Sequence, residues 1–302
     1  MSLKERVQRF AGDGVDLAAT SWDPDGHRAG IAVLLHGGGQ TRHSWLRTGH
    51  RLAVQGWQVH AVDLRGHGES DWTADGDYTV AAHARDVAAI ARALPERPVL
   101  IGASLGGMAS LIAQADADLA RALVLVDITP KAEPEGLERI HEFMARGVTG
   151  FSSLEEALAA VAAYNPNRRR APRLDGLRKN LRLRDGRWHW HWDPRILAQR
   201  ENSVDAAAER EACARSAARR ITVPTLLVHG AQSDIVSADG VADLLTLIPG
   251  ARHVEVSGAG HMVSGDDNDV MGDAITDFCA HLGDGHAALI PTRPNRSQHS
   301  EE

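Results

Sequence analysis

The chain has 302 residues, 43% hydrophobic and 24% charged, with a formal net charge of −7 at pH 7. That is the composition of a globular protein with a large core, and the negative balance argues against general nucleic-acid binding. No apolar run approaches a bilayer-spanning length, the charged start Met1-Ser2-Leu3-Lys4-Glu5-Arg6 is unlike a signal peptide, and Cys213 and Cys279 fit no metal or redox spacing, so a cytoplasmic protein with reduced thiols is expected.

In chain order, residues 31–35 (Ile-Ala-Val-Leu-Leu) read as a buried strand that ends at His36-Gly37-Gly38-Gly39-Gln40. Residues 51–55 read as a helix closed by Gly56, and 57–62 as a strand running into Asp63-Leu64-Arg65-Gly66-His67-Gly68. Helical spacing returns over 80–94, at Val80, Val87, Ile90 and Leu94, and Pro95 stops it. Strand 99–101 enters Gly102-Ala103-Ser104-Leu105-Gly106, and a small-residue helix leaves it. Strand 122–126 ends at Asp127, and strands over 221–229 and 253–256 come late in the chain. Strands alternating with helices predict an α/β fold, with a mostly parallel sheet covered on both faces.

From 131 to 220 the strand rhythm stops, and helices are expected over 135–145, 154–164 and 194–219. This interval holds 18 Lys and Arg against 13 Asp and Glu, so it carries +5 while the rest of the chain carries −12. The expected layout is a core from 1 to 130, a mainly helical cap from 131 to 220, the second part of the core from 221 to 282, and a poorly ordered polar tail from 283 to 302.

The chemistry-bearing residues fall at strand C-termini, where parallel sheets bind ligands. A serine between glycines on a strand–turn–helix is held in a strained conformation with its hydroxyl free, and the helix start offers amides to nearby negative charge. Ser104 needs a base, and His261, in a glycine-rich loop beyond the last strand, is the candidate. The acid that orients it is expected to be Asp234, five residues past a buried strand, with Asp127 as the alternative. Oxyanion donors are expected at the amides of Leu105 and Gly38, while His36 reads as a structural hydrogen-bonding residue.

Gly102 to Gly106, the order Ser104, Asp234, His261, and the segment Asp63-Leu64-Arg65-Gly66-His67-Gly68-Glu69-Ser70 together resemble the α/β-hydrolase superfamily over residues 31–282, apart from the cap. The resemblance is to its capped group of small esterases, lactonases, carbon–carbon bond hydrolases and cofactor-free haloperoxidases. It implies that the Asp63 segment fixes a turn. It also implies a serine hydrolase with no cofactor and no metal, acting on a small-to-medium ester or lactone. The alternatives are cleavage of a carbon–carbon bond beside a ketone, a ligand-binding or sensing protein, and a cofactor-free lyase or oxygenase on the same fold. Members with an aspartate at the elbow, the haloalkane dehalogenases and epoxide hydrolases, are set aside by Ser104.

Trp188, Trp190 and Trp192 alternate with His189 and His191, so the indoles share one face of an extended segment and are candidates to line the acyl pocket. The arginines between 168 and 187 are either a solvated cap surface or a carboxylate grip. The expected partner is a small-molecule substrate, without nucleic acid or membrane, and a homodimer is allowed.

Overall fold

A computed structural model describes residues 3–164, 174–199, 204–261 and 269–283. Eight strands form one sheet: β1 (Lys4–Ala11), β2 (Asp16–Asp23), β3 (Gly30–Leu35), β4 (Trp57–Val62), β5 (Val99–Ala103), β6 (Ala122–Val126), β9 (Thr225–Gly230) and β10 (Arg252–Val256). Their order is β1-β2-β4-β3-β5-β6-β9-β10. Pairing is antiparallel at β1–β2 and β2–β4 and parallel across the rest.

The central parallel strands β3, β5 and β6 are buried throughout because both faces are covered, whereas β10 at the edge carries Arg252, His253 and Glu255. Val33, Leu35, Leu123 and Leu125 face one layer, built from α2 (Val80–Ala93), α3 (Leu105–Ala117), α7 (Val204–Arg219) and α8 (Ala238–Leu247). Ala32, Leu34, Val124 and Val126 face the other, built from α1 (Leu46–Val54) and α9 (Asp269–Gly283). Side-chain caps start two of these helices: Thr79 Oγ1 accepts from the Ala82 amide, and Ser237 Oγ from the Gly240 amide. No helix among the described residues is long and apolar enough to cross a membrane.

The hairpin of β1 and β2 was not expected from the sequence. β1 alternates exposed and half-buried residues at the sheet edge, where one face stays wet and the apolar signal is thin.

Between β6 and β9 lie α4 (Pro134–Arg146), α5 (Leu154–Tyr164), α6 (Leu174–Arg178), the hairpin β7 (Leu181–Arg184) with β8 (Arg187–Trp190), and α7. The interval is thus not purely helical. Met144, Phe151, Ala157, Leu177, Leu181, Trp190 and Trp192 make a small core of their own. α7 behaves differently from its neighbours. It packs on α3 and α8 and buries Ala217 and Ala218 in the main core. The tail expected from 283 onward falls, after Gly283, outside the described residues.

Candidate active site

Ser104 sits between β5 and α3 with φ 45° and ψ −112°. A non-glycine residue in this region costs on the order of 1–3 kcal/mol and persists only where its surroundings enforce it. The glycines do the enforcing. A Cβ on Gly102 would come within 2.5 Å of the Gly106 backbone, and one on Gly106 within 2.6 Å of the Leu35 carbonyl oxygen. The Ser104 amide donates to the Val126 carbonyl (3.0 Å), and Gly106 N–H donates to the His36 carbonyl (3.2 Å), so the turn is tied to both flanking strands.

His261 follows β10, and its Nδ1 lies 2.6 Å from Asp127 Oδ2. A carboxylate only accepts, so Nδ1 carries the proton and Nε2 is left as the basic nitrogen. Asp127 is almost fully buried and, like Ser104, holds a positive φ, 50°. Its Oδ1 accepts from the Gly230 amide (3.0 Å), and its Oδ2 also accepts from Ser233 Oγ (2.7 Å). Ser233 in turn accepts from the Ile235 and Val236 amides. The serine had no part in the sequence reading. It lies in the same loop after β9, residues 231–237, as the expected acid.

Asp234, the expected acid, is elsewhere. Its carboxylate pairs with Arg139 of α4 at 2.7 Å, and Gly136 packs so closely on its backbone that a Cβ there would meet the Asp234 carbonyl oxygen at 2.1 Å. The expectation is therefore corrected: the structure sets Asp127 against the imidazole and uses Asp234 to dock α4. The reason is tertiary: the loop carrying His261 lies against the loop after β9, where the Gln232 amide donates to the Ala259 carbonyl, but its imidazole reaches Asp127 at the end of β6.

The glycine turn after β3 supplies the other wall. Gly37 N–H donates to Gln40 Oε1 (3.1 Å) and Gly39 N–H to His67 Nε2 (3.1 Å). Gly38, between them, lines the cavity with Ser104, Leu105 and His261. Among the described residues, the Gly38 and Leu105 amides have no hydrogen-bond partner. His36 is structural, as expected: Nδ1 donates to the Gly37 carbonyl (2.8 Å) and Nε2 accepts from the Leu64 amide (3.0 Å). Full burial holds its pKa down at about 4.

The cavity has a volume of about 180 Å³ and is roofed by Leu137, Ile140, Phe143 and Met144 of α4, Tyr164 of α5, and Trp190 and Trp192. Burial, with Asp234 nearby, pushes the Tyr164 hydroxyl up to about 12, so it stays protonated at neutral pH. Trp188 does not reach the cavity; Arg178 stacks over its ring instead. Of the described cap arginines, Arg182 binds the Gly68 carbonyl, Arg184 covers Trp72, and Arg187 binds the Thr149 and Gly150 carbonyls. Arg168, Arg169, Arg170 and Arg173 lie outside the described residues. His189 and His191 join no metal-binding group among the described residues.

Asp63 and Arg65 of the turn segment after β4 hold the fold rather than the cavity. Asp63 accepts from the Arg42 and Glu69 amides and pairs with the Arg42 guanidinium, while Arg65 makes a buried two-point pair with Asp86 (2.7 and 2.8 Å).

Known proteins bear on this arrangement. The chain is 33% identical over 277 residues to Esterase Rv0045c of Mycobacterium tuberculosis, covering 87% of this chain and 84% of that protein. It is 30% identical to a 3-hydroxybutyrate-oligomer hydrolase of Cupriavidus necator, over 81% of this chain and 86% of the other. Among solved structures, E-2-(acetamidomethylene)succinate hydrolase superposes with a TM-score of 0.78 at 27% identity, covering 92% of this chain and all of that one. The family profile described as the alpha/beta hydrolase fold matches residues 33–267, well over half of the sequence, and the chain belongs to that family of hydrolases.

Proposed function

We propose that the protein is a serine hydrolase that cleaves a small-to-medium ester or lactone through an acyl-enzyme on Ser104. The observation that carries this reading is the buried Asp127–His261 hydrogen bond, which leaves Nε2 as the base on the cavity that Ser104 also lines. Ser104 Oγ attacks the carbonyl carbon as its proton passes to His261 Nε2, and the oxyanion takes hydrogen bonds from the Gly38 and Leu105 amides. Collapse breaks the acyl–oxygen bond, and His261 returns the proton to the leaving alkoxide. Water then gives a proton to His261 and its hydroxide to the acyl carbon. The second collapse releases the acid and restores Ser104.

The roof sets the size class. Four aliphatic and aromatic side chains of α4, with Trp190 and Trp192, suit an apolar acyl group, and about 180 Å³ limits it to modest length. The similarity to an esterase and to a hydroxybutyrate-oligomer hydrolase favours the same bond type.

The test is labelling by a fluorophosphonate probe in wild type, Ser104→Ala and His261→Ala, with p-nitrophenyl esters of rising chain length in parallel. Labelling abolished in Ser104→Ala, with turnover of a short or medium ester by wild type, supports the reading. A folded wild type that neither labels nor turns over an ester defeats it.

A further inference from the structure

Behind the glycine turn stands a histidine that the proposed mechanism does not use. His67 is fully buried, flanked by Gly66 (φ 73°) and Gly68 (φ 55°), and its ring meets His36 edge-on at 5.1 Å. Its Nδ1 lies 2.9 Å from the Arg65 carbonyl oxygen, which can only accept, so Nδ1 carries the proton. Nε2 is then a bare lone pair, and it accepts from Gly39 N–H at 3.1 Å. That bond fixes the peptide joining Gly38 to Gly39. On the other side, the Gln40 side chain fixes the Gly37 amide. Gly38 N–H is the amide left between these two tethers.

The backbone around His67 is held by the cap. Gly68 N–H donates to the His191 carbonyl (2.7 Å), Asp193 N–H donates to the Gly66 carbonyl (2.8 Å), and His67 and Trp192 form an antiparallel bridge. Arg182 of β7 adds a bond to the Gly68 carbonyl. Residues 191–193 thus run antiparallel to 66–68 through a single isolated bridge, and Trp192 also roofs the cavity.

We infer that His67 is a positioning residue for the oxyanion site: its ring orients the Gly38–Gly39 peptide, and its backbone couples that peptide to the seat of the cap segment 191–193. This rests on the Ser104 acyl-enzyme reading. A shift of the cap segment breaks bonds on both sides of His67 and turns its ring. Displacement of an oxyanion donor by about 1 Å is enough to cost on the order of 10²-fold in rate.

The experiment measures kcat and KM of His67→Leu and His67→Gln on the p-nitrophenyl ester that wild type turns over best. The glutamine oxygen reaches the position of Nε2 and can accept from Gly39, whereas leucine cannot. The expected result is a kcat about 10²-fold lower in His67→Leu with KM nearly unchanged, and recovery to within about tenfold of wild type in His67→Gln. A folded His67→Leu with wild-type kcat, equal losses in both variants, or a loss confined to KM overturns the inference.

Should His67→Leu not fold, ¹⁵N NMR of the wild type decides. An unprotonated Nε2 with a through-bond coupling to the Gly39 amide supports the clamp, and a protonated Nε2 overturns it. A wild type that neither labels at Ser104 nor hydrolyses esters removes the acyl-enzyme reading and this inference together. An active wild type with an indifferent His67→Leu removes the inference alone.

Discussion

Asp127 and His261, 134 residues apart in sequence, meet at 2.6 Å, while Asp234, which stands closer to His261 in the chain, is spent on Arg139. Two carboxylates end neighbouring strand–loop units, and the fold uses one for orientation of the imidazole and the other for attachment of α4. Burial separates them: Asp127 is 1% exposed and takes hydrogen bonds on both oxygens, whereas the Asp234 side chain is 27% exposed and its partner Arg139 56%.

The two aspartates should therefore separate in kinetics. Asp127→Asn keeps the shape but offers an amide to Nδ1, which favours the wrong tautomer, and kcat on the ester substrate should fall by about 10⁴-fold. Asp234→Asn should stay within about tenfold, since its carboxylate faces Arg139 rather than the imidazole and a partly exposed ion pair contributes on the order of 1 kcal/mol. Steady-state kinetics of both variants on one ester decide the matter. The reverse ranking would return the acid to the loop after β9.

Ser233 gives a second, finer test of the same corner. Its hydroxyl donates to Asp127 Oδ2 and accepts from two amides of the loop that follows. Ser233→Ala removes one of the donors to a buried carboxylate and leaves the Ile235 and Val236 amides without their acceptor. A stability loss of about 1–3 kcal/mol is expected, read as a lower denaturant midpoint. An unchanged midpoint would mean that the loop finds other partners.

The elbow predicts a contrast between glycines. Gly106→Ala places a Cβ 2.6–2.7 Å from the Leu35 and His36 backbones, and neither strand can retreat, so a loss of about 3 kcal/mol or more is expected. Gly38→Ala meets its nearest atom, a Leu105 methyl carbon, only at 4.0 Å and should fold normally. Thermal melts of the two variants test this directly. Equal melting temperatures would refute the steric account of the turn.

These cases show what could be read from the sequence and what could not. Gly102, Ser104 and Gly106 were legible because they fall together in one strand–turn–helix segment, although the Gly106 clash is with the Leu35 and His36 backbones of the neighbouring strand end. The central strands β3, β5 and β6 were legible because burial on both faces makes them apolar. Which carboxylate meets His261 was not, because Asp127 and Asp234 both follow buried strands and only the tertiary course of the 257–261 loop sets Asp127 against the imidazole. His67 was read as part of a structural turn, and its flanking positive-φ glycines were the available hint that its ring is aimed. Of the three tryptophans expected in the pocket, Trp190 and Trp192 reach it. Trp188 shares the face of Trp190 on β8 but does not line the cavity.

The histidines beneath the glycine turn make the fold acid-sensitive. Burial holds His36 at about 4 and His67 at about 3, and His83 of α2, packed near His67, lies well below 6.5. Each therefore binds its proton more readily in the unfolded chain, so stability is complete above about pH 6.5 and falls as pH drops toward the folded-state values. Each contributes a slope of up to about 1.4 kcal/mol per pH unit inside that window. His83 isolates the effect, because both of its ring nitrogens are buried with no hydrogen-bond partner among the described residues and it touches nothing in the proposed mechanism. Replacing it with leucine, of similar volume, removes an unsatisfied polar group and a proton-binding site at once. His83→Leu should gain about 1–2 kcal/mol at pH 7 and more at pH 5, measured by urea unfolding at both values. A variant less stable than wild type at both pH values would show that the imidazole is satisfied where it sits.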